Sequence, residues 1–164
     1  MTGCDALKSA LLGTHKLLEW FVSDFTDADL LVRPVPGANH AAWQIGNIIT
    51  GDVFLMRAEL PSAAYPELPP GFAELHGPKG TSQDGPEGFL TKAAYLALFT
   101  EVRNATIAAV SGLTDADLDR PTSEKMRGFA PTLGNLIQLV SDHTILHVGQ
   151  FSVIRRKLGK PVLM

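Results

Sequence analysis

Ser141-Asp142-His143-Thr144-Ile145-Leu146-His147-Val148-Gly149-Gln150-Phe151-Ser152-Val153-Ile154-Arg155-Arg156 is the stretch whose reading decides the fold. His143 and His147 are four residues apart, so on a helix they stand one turn apart on one face. Two imidazoles at that spacing can share one metal ion. Leu136, Leu139, Val140, Leu146, Phe151 and Ile154 recur near helical spacing through the same segment. The histidines are therefore expected on or beside the inward face. The alternative is a pair of helix histidines hydrogen-bonded to Asp142, Thr144 or a facing carboxylate. The segment lacks the internal glutamate of metalloprotease helices, which argues against peptide hydrolysis of that type.

Outward from this segment, Thr132 is the expected cap of the last helix, which ends near Leu158, before Gly159 and Pro161. A first helix is predicted over 6–25. Leu7, Leu11, Leu18 and Val22 form its stripe, widened by Leu12 and Phe21, and His15 lies on that stripe as a hydrogen-bonded core residue. A second helix is predicted over 41–59, capped by Asn39, and a third over 91–111, capped by Thr91 and ended by Gly112. Thr26, with Asp29 three residues on, predicts a capped turn. Pro61 to Pro86 is rich in proline and glycine and exceeds the usual loop length, so it reads as a lid, a short-helix excursion or a partly mobile segment. Lys79-Gly80-Thr81 is not a nucleotide loop, for it lacks the glycine-rich approach, the strand and the following helix.

Two short matches recur at one offset. Thr26-Asp27-Ala28-Asp29-Leu30 repeats at 114–118, and Ile45-Gly46-Asn47-Ile48-Ile49 resembles Leu133-Gly134-Asn135-Leu136-Ile137, both 88 residues on. The equal offset predicts two similar helix-linker-helix halves. The expected fold class is all-α: a four-helix bundle with long inter-helix connections, forming one domain over 1–164.

Charge bounds the partners. The net charge of -3, with a pI near 5.9, argues against electrostatic binding of nucleic acid or acidic lipid. Arg155, Arg156, Lys157 and Lys160 form a basic end that reads as a solvated helix terminus. Cys4 is the single cysteine, so no intramolecular disulfide can form, which fits a reducing compartment. No signal-peptide pattern or membrane-length apolar run is present. A cytoplasmic location is the expectation.

The chain resembles the DinB/YfiT-like metalloenzyme superfamily. The resemblance covers nearly the whole chain and rests on Pro36-Gly37-Ala38-Asn39, Trp43-Gln44-Ile45-Gly46-Asn47 and His143-Thr144-Ile145-Leu146-His147-Val148-Gly149-Gln150. It implies a four-helix bundle with a divalent metal (zinc, nickel or iron) between helices. It also implies a low-molecular-weight thiol as co-substrate of an S-transferase or related enzyme, a small-molecule substrate, and a homodimer. The implied ligands are Asn47, His143 and His147. The family's second-helix ligand is a histidine directly after the Trp-x-x-Gly pattern, and this chain has Asn47 there. An amide oxygen is a harder and weaker donor than imidazole. Asn47 alternatively hydrogen-bonds within the bundle, as Asn135 would in the second half. His15 and His76 are the surrogate ligands, and Asp142 and Gln150 the candidates to orient the histidines. Asp52 and Glu59 are expected to pair with Arg57 or Lys92. Trp43, Phe72, Tyr95 and Phe151 are candidate pocket walls. No catalytic residue is assigned. Two functions stay open: a metal-dependent thiol transferase, or a non-catalytic small-molecule-binding or dimeric structural protein with a degenerate metal site.

Overall fold

A computed structural model describes residues 1–61 and 63–164. Four long helices form the bundle: α1 (Gly3–Val22), α2 (Ala41–Glu59), α4 (Lys92–Ser111) and α6 (Leu133–Lys157). Two one-turn helices, α3 (Phe72–Leu75) and α5 (Asp115–Leu118), sit in the connections. Helices α1 and α2 each pack against both α4 and α6, so α1 and α2 stand at opposite corners. The core they enclose includes Leu11, Leu18, Ile45, Ile49, Phe99, Val102, Leu136, Val140 and Phe151, all fully buried. None of the helices described is long and apolar enough to cross a membrane.

Helix α1 starts and ends three residues before its predicted bounds. Thr2 and Asp5 cap its start reciprocally, and Ser23 closes it while Phe25 turns inward beyond the helix. The bounds of α2 fall as predicted, but His40 rather than Asn39 is its cap: His40 Nδ1 accepts the Trp43 N–H at 3.2 Å. An imidazole nitrogen can do the work of a capping oxygen because it too presents a lone pair to the third amide. Thr91 and Thr132 cap α4 and α6 as expected. Helix α6 ends in a Schellman motif: Gly159 is left-handed (φ 68), and Lys160 N–H reaches back to the Arg155 carbonyl at 2.9 Å.

The repeat holds only in its first member. Thr26/Asp29 and Thr114/Asp117 form the same reciprocal cap. Asn47, by contrast, lies in the second turn of α2, whereas Asn135 is the third residue of α6 and closes the cap on Thr132. The halves are thus not equivalent at the asparagines. The basic end also differs from expectation. Arg155 is 1 % exposed. It pairs with Asp24 at 2.6 Å and donates to the Phe21 and Pro161 carbonyls. Lys160 bonds the Asp24 carbonyl and pairs with Asp29. These two cations tie the end of α6 to the end of α1.

The region from Pro61 to Pro86 is a short-helix excursion, apart from residue 62, which lies outside the described residues. It runs back along α2, its carbonyls held in order by α2 side chains. Arg57 donates to Tyr65, Asn47 to His76, and Trp43 to Gly77. Gly46 makes this approach possible: a β-carbon there would sit 2.0 Å from the His76 ring.

Candidate metal centre

Helices α2 and α6 run antiparallel where they meet. Gln44 and Asn47 face His147, and Gly51, one turn farther along α2, faces His143. Small Gly51 leaves room for the His143 ring, since a β-carbon there would lie 3.0 Å from it.

The hydrogen bonds fix where the lone pairs point. Gln44 Nε2 donates to the Asn39 carbonyl at 2.6 Å, which leaves Gln44 Oε1 to accept from His147 Nδ1 at 3.1 Å. His147 Nδ1 therefore carries the proton and Nε2 the lone pair. Asn47 Nδ2 donates to the His76 carbonyl at 2.8 Å, which turns Asn47 Oδ1 toward His147 Nε2 at 3.2 Å. Two acceptors thus face each other with no proton between them. His143 Nε2 lies 3.1 Å from the same His147 Nε2, and His143 Nδ1 is buried without a partner. A proton on His143 Nε2 would bridge the rings but leave Nδ1 an orphan lone pair. A proton on Nδ1 would leave three lone pairs converging. Neither arrangement satisfies every atom, so the cluster is short of positive charge at its centre.

Burial holds both rings neutral. His147 is 7 % exposed, and its pKa is pushed down to about 4, first by burial and then by the neighbouring His143. Burial, then the Arg103 guanidinium, lowers His143. Neutral imidazoles keep the lone pairs that metal binding requires. The edges of 3.1 and 3.2 Å are near those of a coordination shell with bonds of about 2.1 Å. Two imidazole nitrogens and an amide oxygen suit zinc, nickel or iron. Among the described residues no group of three or more His, Cys, Asp or Glu side chains is placed to hold a metal, and beside the two histidines here stands the amide of Asn47.

The other candidates lie elsewhere. His15 bonds Thr100 and Glu19. His76 is fully buried, with Nδ1 on the Phe72 carbonyl and Nε2 on the Tyr95 hydroxyl, so only its carbonyl serves the cluster. Asp142 accepts from Gln138, and Gln150 is exposed, so the orienting role falls to Gln44. Its position three residues before Asn47 was the available signal. Trp43 is the expected wall residue that reaches the site, its ring 6.4 Å from His147. Phe72, Tyr95 and Phe151 are core. Leu146, expected inward, is 66 % exposed. Asp52 pairs not with Arg57 but with Arg103 at 3.0 Å, both fully buried, and Glu59 accepts from the Ser123 N–H.

The model of the DinB superfamily matches residues 10–151, a span that includes Gln44, Asn47, His143 and His147. A search of curated proteins returned no match.

Proposed function

The chain belongs to the DinB superfamily, and from that premise we propose that Asn47, His143 and His147 hold a divalent cation in a metal-dependent enzyme that acts on a low-molecular-weight thiol. The observation that carries the reading is the pair of acceptors, His147 Nε2 and Asn47 Oδ1, 3.2 Å apart, each turned inward by the hydrogen bond its side chain donates on the far side, to Gln44 Oε1 and to the His76 carbonyl. A cation at their meeting point would satisfy both, together with His143 Nε2. When bound, a divalent ion with an open position supplies Lewis acidity and lowers the pKa of a thiol or water beside it. The chain's own residues do the rest. Gln44 sets the His147 tautomer, the His76 carbonyl sets the Asn47 amide, and Trp43 supplies an apolar wall. Two imidazoles and an amide are neutral donors, so the site adds no negative charge to offset the cation. That favours an anionic co-substrate such as a thiolate.

Cobalt loading tests this reading. Adding 2-mercaptoethanol to the cobalt-loaded protein is expected to produce a sulfur-to-cobalt absorption band that His147→Ala abolishes. Cobalt binding without such a band would remove the thiol. The substitution of asparagine for histidine supports the second reading, a degenerate site in a non-catalytic binding protein. That reading predicts no bound cobalt. Phe129 and Leu146, both largely exposed, support the homodimer as a further part of the proposal, to be checked by sedimentation equilibrium.

A further inference from the structure

The linker running back along α2 leaves a groove of about 440 Å³ beside the helix. Its walls are Val53, Phe54, Leu68 and Ala73, its near end is Thr50, and its far end is Arg57. Thr50 lies three residues beyond Asn47 on α2, and from there the groove follows the helix toward its C-terminal end. Two polar features mark its ends. The Thr50 hydroxyl is buried with no hydrogen-bond partner. Thr14, Thr100, Thr106 and Thr144 each satisfy theirs on the carbonyl four residues back, and Thr50 does not. Arg57 is exposed, and among the described residues no carboxylate lies within ion-pair distance of it. Its guanidinium is instead steadied over the Tyr65 ring at 5.6 Å and on the Tyr65 carbonyl.

We propose that this groove binds a linear aliphatic carboxylate carrying a polar group at its other end. The carboxylate pairs with Arg57, the chain lies on Val53, Phe54, Leu68 and Ala73, and the polar group meets Thr50, three residues along α2 from Asn47. Charge complementarity selects the anion, because Arg57 is a planar donor fork with no acid of its own. The apolar walls select an aliphatic chain over a sugar or a nucleotide. Seven residues of helix separate Thr50 from Arg57, about 10 Å, roughly the span of an eight-carbon chain. As a substrate class for the site of Asn47, His143 and His147, the inference rests on the metal-centre reading. Occupancy of the groove does not depend on it.

Calorimetric titration of the metal-free protein with octanoate, octanol and 8-hydroxyoctanoate is the test. Octanoate is expected to bind saturably and octanol much more weakly. Arg57→Gln should weaken octanoate about tenfold while circular dichroism stays unchanged. The hydroxyl of 8-hydroxyoctanoate should strengthen binding in the parent, and Thr50→Val should remove that gain. Octanol binding as well as octanoate, no saturable heat with octanoate, or an unchanged affinity in Arg57→Gln would overturn the proposal. A hydroxyl gain that survives Thr50→Val would overturn the assigned orientation. His147→Ala, which removes a proposed metal ligand, should leave octanoate binding intact, so failure of the metal centre and failure of the groove are read separately.

Discussion

Gln44 fixes the tautomer of His147 without touching the proposed ion. It is 1 % exposed and holds the imidazole proton on Nδ1. Gln44→Met should keep the packing volume and release the tautomer, weakening zinc affinity about 10–100-fold in a competitive chelator titration. An unchanged affinity would mean that His147 needs no orienting partner. Asn47→His replaces an amide oxygen with imidazole, and tighter zinc binding is the expected result. Gly46 belongs to the same scale. Gly46→Ala drives a methyl into the buried His76 ring, and a loss of about 1–3 kcal/mol or more is expected by urea denaturation. That His143 and His147 share a face was legible in the sequence because residue spacing on a helix fixes it, whereas Asn47 was singled out only by the family resemblance, at the place of the family's second-helix histidine. Gln44 was not read as the orienting group, because the bond that makes it one spans 103 residues between α2 and α6. Nor was the role of His76 legible: its ring is sealed against Gly46, and only its carbonyl reaches Asn47.

The helices themselves were the most readable elements. Thr91, Thr132 and Gly159 are local signals, and local signals mark boundaries without tertiary information. The linker was less readable, because what orders it is a row of α2 side chains on its carbonyls rather than any property of its own sequence. Its anchor is His76, whose ring takes two hydrogen bonds as a neutral imidazole. Burial pushes its pKa down to about 4, against an ordinary value of 6.5. The folded state therefore prefers the neutral ring. The resulting stability is fully present above pH 6.5 and is lost as pH falls toward 4, up to about 3 kcal/mol at 1.36 kcal/mol per pH unit. His76→Asn should be less stable than the parent at pH 7 and show a shallower decline between pH 6.5 and 4. Parallel declines in denaturation midpoints would show that His76 does not hold the linker.

Across the whole molecule, Asp52 from α2 and Arg103 from α4 meet at the centre of the bundle. Arg103 also donates to Thr14 on α1 and Thr144 on α6, so one guanidinium touches all four long helices. Burial pushes the Asp52 carboxyl up to about 7, against the opposing pull of Arg103. Arg103→Met would strand that acid, at a cost of about 3–5 kcal/mol. Adding Asp52→Leu should recover most of the loss in the same thermal or urea measurement. The network sits beneath the candidate centre, with Thr144 next to His143 in sequence, and its charge helps keep His143 neutral. The fold thus holds neutral donors against a charged core and turns their lone pairs to one point. The metal content of protein purified without a histidine tag, under metal-replete conditions, tests this most directly. The expected result is one divalent ion per chain in the parent and none in His143→Ala or His147→Ala, each still helical by circular dichroism. A metal-free parent, or an ion retained in both variants, would contradict it.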